Sequence, residues 1–221
     1  KCEQQPIYDT ASQLYYAGNY PLAFWEFSKV PDFEDSEEMK TKAEQSWRKS
    51  LATFGMYTPE SYKYCFINEN GSMSVLLQKT FVEELDDIDI SKNGKIISVD
   101  TAFDDLILML HEDGTVSTTS NEIQLDSAEW HNIIKLNAAA YDSGIIALRN
   151  DGKILTTYIE PVTYYERNLG KWSEEIASWS DLVDFEYYCD YPNSLLLGIK
   201  ADGSICYKIN CSSLPFISES H

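Results

Sequence analysis

Apolar positions along the chain follow two different periods. In the first fifty residues Ile7, Ala11, Leu14 and Tyr15 fall at i, i+4, i+7 and i+8, one face of an amphipathic helix. Gly18 and Asn19 end that pattern. Pro21 suits the first turn of a second helix, which carries Leu22, Ala23, Phe24, Phe27 and Val30 and stops before Pro31. Asp35 followed by Glu38 reads as a capping box, and Met39, Ala43, Trp47 and Leu51 then form the stripe of a third helix. From about Tyr57 the pattern turns to short apolar runs broken by turn residues. The change predicts a helical segment over 1–56 and a β domain over 57–221.

Within the β domain a single phrase recurs four times: INENGSMSV from Ile67, LHEDGTVST from Leu110, ALRNDGKILTT from Ala147 and IKADGSICY from Ile199. Asn70-Gly71, Asp113-Gly114, Asp151-Gly152 and Asp202-Gly203 each supply residues that accept positive φ. Flanked by apolar alternation, each predicts a β-hairpin with a two-residue type I′ turn. The glycines lie 43, 38 and 51 residues apart. A second element precedes the later turns: NGKIISV (93–99), WHNIIKL (130–136) and WSDLVDF (179–185) align as W-x-x-[IL]-[IV]-x-[LVF], with Asn93 replacing the Trp. Each unit therefore has at least three strands, and repeats of this length suggest propeller blades.

Two resemblances follow from these residues. The segment around Leu14, Gly18, Tyr20, Ala23, Phe27 and Pro31 resembles a tetratricopeptide-type helical hairpin followed by one more helix. Fewer than two such repeats are present and about three are needed for a free-standing solenoid, so the helices are expected to pack on the rest of the chain. Over residues 60–210, the pattern W…IIKL…GIIALRNDGKILTT is similar to the bacterial regulator-of-chromosome-condensation-type repeat. That resemblance implies a propeller-like array of three to four antiparallel units, with a hairpin meander or sandwich as the alternative. It carries over no functional residue, because Asp142-Ser143-Gly144 stands where the family has its His and the Trp-Gly-x-Asn motif is missing. Family propellers close with about seven blades, so a shorter array leaves sheet edges to be paired or covered.

Composition narrows the function classes. Thirty-six acids against seventeen bases give a formal charge of −19, which repels phosphate backbones and anionic headgroups. A nucleic-acid or membrane-surface role is therefore not expected, and membrane attachment would be only through a removed anchor. Five cysteines (Cys2, Cys65, Cys189, Cys206 and Cys211) form no C-x-x-C, which argues against a zinc site. Cys65 and Cys206 sit in apolar strand patterns and read as buried thiols. The chain opens Lys-Cys without an initiator Met, which suggests a processed product in the extracellular space or cell envelope of a bacterium. A lipidated cysteine would come first, whereas Lys1 precedes Cys2.

Candidate chemistry is thin. His111 and His131 stand without a paired nucleophile and read as surface or strand-end residues, and no G-x-S-x-G, H-E-x-x-H or phosphate-cradling loop occurs. Residues 84–94 place Asp87, Asp89 and Ser91 in alternation, yet the twelfth position of a calcium loop is Ser98 instead of Glu. No catalytic residue, metal or cofactor is expected. Between the third and fourth turns the chain is about thirteen residues longer than in the preceding unit. That stretch carries Tyr158, Tyr164, Tyr165 and Trp172, and Tyr187, Tyr188 and Tyr191 follow nearby. Insertions in repeats go to loops on one face, and aromatics there suit recognition, although they equally suit packing between units. The expectation is a non-enzymatic protein–protein interaction module, with pairing of two copies through open sheet edges as one arrangement. A carbohydrate-binding surface is the alternative, and a hydrolase using an acidic pair ranks third.

Overall fold

The structure is a computed structural model describing residues 4–51, 63–67, 73–77, 80–81, 94–101, 107–119, 125, 129–139, 144–158, 168–190 and 193–210. Three helices open the chain: α1 (Gln5–Tyr16), α2 (Tyr20–Ser28) and α3 (Ser36–Leu51). Gly18 takes the left-handed conformation that ends α1, and the Asn19 side chain accepts from Leu22 N–H at the start of α2. The predicted stripes are the buried ones: Ala11 on α1, Ala23, Phe24 and Phe27 on α2, Met39, Ala43 and Trp47 on α3. The capping box takes a different form, because Asp35 accepts a short hydrogen bond from the Tyr8 hydroxyl and Glu38 pairs with Lys42. The bond to the Asp35 carboxylate, aided by burial, holds the Tyr8 phenol pKa at about 12.

Among the described residues twelve strands follow, in four three-stranded antiparallel sheets, each in simple chain order. Sheet 1 is β1 (Lys63–Ile67), β2 (Met73–Leu77) and β3 (Thr80–Phe81). Sheet 2 is β4 (Ile96–Thr101), β5 (Ile107–His111) and β6 (Val116–Thr118). Sheet 3 is β7 (Ile133–Ala139), β8 (Gly144–Arg149) and β9 (Ile154–Tyr158). Sheet 4 is β10 (Leu182–Asp190), β11 (Asn193–Lys200) and β12 (Ile205–Asn210), and α4 (Asn168–Ala177) lies between sheets 3 and 4. The chain is thus mainly β with an N-terminal helical segment. Helix α4 occupies the inserted stretch, where the repeat pattern predicts a loop. Trp172 and Ile176, four residues apart, place one side of α4 against the core.

The turns are hairpin tips of another type than expected. In sheet 2 Gly114 N–H bonds His111 O, and His111 N–H bonds Thr115 O. Gly114 alone is left-handed (φ 81°), which makes a type I turn closed by a glycine bulge in place of type I′. The preceding aspartate decides this. Its carboxylate accepts the N–H two residues on, as Asp113 does from Thr115 (2.9 Å), Asp151 from Lys153 (3.3 Å) and Asp202 from Ser204 (2.8 Å). Asn70-Gly71 lies outside the described residues.

Those glycines also join successive sheets. Gly114 O accepts Ile133 N–H (2.9 Å), the first residue of β7, and Gly152 O accepts Leu182 N–H (3.1 Å), the first residue of β10. The residues just before, Asn132 and Asp181, are left-handed (φ 56° and 61°) and turn each new strand toward the preceding hairpin. Their carbonyls return the bond to the hairpins of their own sheets, Asn132 to Asn150 N–H and Asp181 to Ala201 N–H (both 2.9 Å). The approach leaves no room for a side chain. A Cβ on Gly152 would stand 2.9 Å from Leu182 N, whereas one on Gly203 in the last sheet would meet nothing within 4 Å.

Sheet 3 is buried on both faces. Leu136, Ala138, Ile145 and Ala147 pack on Leu108 and Leu110 of sheet 2. Ile134, Ile146, Leu148 and Ile154 join Leu182, Phe185 and Leu196 of sheet 4 and the helices in the larger cluster. Helix α3 fastens this stack at its turn end. Arg48 donates from Nη1 to Glu112 O (2.8 Å) and from Nε to Ile133 O (2.9 Å), while Glu44 receives its Nη2 (2.7 Å). Trp25 reaches Asn150 O (2.9 Å) and Trp47 reaches Val183 O (3.0 Å). One short helical cap therefore holds backbone carbonyls of three sheets.

Two outcomes follow. Gly152→Ala should lower the free energy of unfolding by about 3 kcal/mol or more, since backbone must shift. Gly203→Ala should cost about 1 kcal/mol, from its left-handed φ alone; urea denaturation compares them, and equal losses would refute the junction. Arg48→Met removes the donors of one buried and one part-buried carbonyl and should cost about 3 kcal/mol, read from the same titration.

Candidate functional site: the outer face of the last sheet

Alternation decides what β12 presents. Ile205, Tyr207 and Ile209 point to one side of the strand, Cys206 and Lys208 to the other. The register places Ile205 opposite Ile199, Tyr207 opposite Leu197 and Ile209 opposite Leu195. On the far side of β11, Tyr188 pairs with Leu195. These seven apolar residues share one face of sheet 4. The opposite face carries Phe185, Tyr187, Leu196 and Cys206, which pack against the core.

The outer face is open. Ile205, Tyr207 and Tyr188 are 63%, 62% and 61% exposed, Ile209 52% and Ile199 37%. Among the described residues, most other large apolar side chains are enclosed, so this contiguous patch is the candidate site. Acidic groups edge it on β10: Asp184 and Glu186 reach back to Lys135 Nζ (2.9 and 2.7 Å), which also donates to Phe185 O (2.6 Å). Lys135 is buried, so its three acceptors replace the water it has lost. They also tie β7 to β10. Asp100 does the equivalent between sheets 2 and 3, where its Oδ2 accepts Ala138 N–H (2.7 Å).

The structure distributes the predicted aromatics unequally. Tyr188 lies on the open face. Trp172 and Tyr187 are partly buried against the core. Tyr158 ends β9; Tyr164, Tyr165 and Tyr191 lie outside the described residues. The residues that the aromatic pattern missed are Ile199, Ile205, Tyr207 and Ile209. A signal existed: the third strands of the earlier units read V-S-T and I-L-T-T, polar where β12 places Tyr207.

His111 proves to be a buried residue. Its Nδ1 faces Gly94 O (3.3 Å) and its Nε2 faces the Ser117 hydroxyl (2.6 Å), an arrangement satisfied by a neutral ring that donates from Nδ1 and accepts at Nε2. Burial pulls its pKa below the ordinary 6.5. Cys206 is half-buried with its Sγ toward Gly198 O (3.6 Å), and burial pushes its thiol pKa up, which keeps it protonated and unreactive. Among the described residues no cluster of three His, Cys, Asp or Glu could hold a metal ion. No described helix is long and apolar enough to cross a membrane.

Comparison with protein-family models, curated proteins and solved structures found no match. What the site can do rests on its own geometry. It can bury apolar area against a complementary surface.

The buried imidazole has a pH consequence. Its folded pKa is depressed, so the stability it contributes is present above about pH 6.5 and is lost as pH falls below that value. His111→Gln keeps a donor and an acceptor without the proton uptake. The drop in thermal midpoint between about pH 7.5 and about pH 5.5 should be smaller in this variant than in the parent chain; an unchanged drop would place the titration elsewhere.

Proposed function

We propose that this chain is a non-enzymatic protein-binding module whose four sheets are consecutive blades of a partial, propeller-like array. The blade reading is supported by the joining of first strand to first strand, through Asp100 to Ala138 and Lys135 to Phe185, as inner strands would be. It is supported also by the face-to-face stacking of sheets 2, 3 and 4 in chain order. The helices serve as a cap across the turn ends.

The observation that carries the binding role is the open face of Tyr188, Ile199, Ile205, Tyr207 and Ile209. Burying one such side chain fully contributes about 1.5–3 kcal/mol, so several together suffice for a stable complex after the entropy of association. The aliphatic share of the patch favours a protein surface over a sugar ring, which would want paired aromatic platforms and polar groups.

A photoreactive benzoylphenylalanine in place of Tyr207 tests the reading. Irradiated in native extract, it should give discrete protein adducts that the same probe at exposed Lys49 does not. Identical adduct patterns from both positions, or none from Tyr207, would sink it.

A further inference from the structure

The repeat itself says what covers such a face. The residues of sheet 4 have counterparts in the sheets before it: Leu197, Ile199 and Ile205 correspond to Ile146, Leu148 and Ile154 in sheet 3, and to Leu108, Leu110 and Val116 in sheet 2. The strand pairing agrees with this alignment, since Leu110 faces Val116, Leu148 faces Ile154 and Ile199 faces Ile205 across each hairpin. In sheet 2 this face lies against the near face of sheet 3. In sheet 3 it lies against the near face of sheet 4, with Ile146 and Leu148 fully enclosed. In sheet 4 Ile199 and Ile205 are open and Leu197 is partly exposed. Gly203 repeats the left-handed turn of Gly114 and Gly152, yet the space beside it, which strand starts fill at the other two, holds nothing within 4 Å among the described residues.

The opposite end of the array is sheet 1. Sheet 1 consists of the hairpin β1–β2 with β3, and among the described residues no sheet precedes it. Its β1 lies before the Asn70-Gly71 turn, where the later units place their second strand. Among the described residues, β1 therefore begins its unit with no counterpart of the inner strands β4, β7 and β10, and its outer edge is unpaired within the described sheets. Among the described residues, one end has an apolar face that no following sheet covers, and the other has a sheet that follows none.

We infer that the occupant of the outer face of sheet 4 is sheet 1 of a second copy of this chain. The proposal rests on the protein-binding reading above and names the partner. Contacts of this head-to-tail kind join unlike surfaces, so they close into a ring when the rotation allows. Two copies would bring eight sheets together, within the about four to eight blades that closed arrays of this type contain. The contact would continue inside one assembly the stacking already present between sheets 2, 3 and 4. It would also shelter the edge of β1, which otherwise invites uncontrolled strand addition. Each copy carries a charge of −19, so association must overcome like-charge repulsion and should strengthen as salt screens it. A basic partner of another kind would show the reverse dependence.

Sedimentation equilibrium of the full chain over a concentration series tests this. The chain should form a dimer whose dissociation constant falls as salt rises from about 50 mM to about 500 mM. Tyr207→Lys and Ile205→Glu, at positions exposed within the chain, should each weaken it roughly tenfold or more while the circular dichroism spectrum is retained. In the purified dimer the photoreactive residue at position 207 should cross-link to Lys63–Phe81 of the second copy. A monomer at all concentrations overturns the inference, as do cross-links confined to β12 of the second copy. If the chain is monomeric while position 207 captures a different protein in extract, this inference fails and the binding role stands. If position 207 captures no protein at all, both fail.

Discussion

The stacking of sheets 2, 3 and 4 depends on one contact made twice, the turn glycine of a hairpin meeting the first residue of the next sheet. Gly114 and Gly152 offer a carbonyl to Ile133 and Leu182, and a side chain at Gly152 would collide with the incoming backbone. The glycine is thus used twice, once for a left-handed φ and once for the missing Cβ. A hydrogen bond of this kind contributes only about 1 kcal/mol net. Its importance is geometric: it sets the distance at which two apolar faces meet, and those faces supply most of the stability.

Buried charge appears where the stack needs to be tied across units. Lys135 is held by Asp184, Glu186 and the carbonyl of Phe185, and its ammonium also lies 5.1 Å from the Phe185 ring centre. Arg48 does the same for the helical cap, with Glu44 beside it and two backbone carbonyls in front. Burial pulls the guanidinium pKa down while Glu44 and Asp113 oppose that pull. Each cation satisfies carbonyls at places where two elements converge and no strand ladder can supply an N–H.

Much of the fold is legible in the chain. The helical stripes, the change of period and the four turn phrases each follow from short-range rules. The type of turn is less legible, because Asp-Gly permits both arrangements and the aspartate's own hydrogen bond to the residue two positions on selects the bulge. Helix α4 escapes the repeat pattern because insertions between units usually form loops. Trp172 and Ile176 become one face only once a core exists for them to meet. The aromatic pattern picks out Tyr188 and overlooks the isoleucines, since an exposed and a buried isoleucine look alike in a strand of alternating residues.

The chain by itself determined where the first three helices and the hairpin turns lie, because φ preferences, capping and periodicity act over a few residues. It also determined that units repeat, through glycines and apolar pairs at matched positions. Tertiary structure alone decided which of those equivalent pairs are covered. Ile154 and Ile205 occupy the same place in their hairpins, yet one is buried beneath the next sheet and the other is open. Burial is a property of what lies opposite a residue, and in an array that depends on position in the stack, which no local pattern encodes.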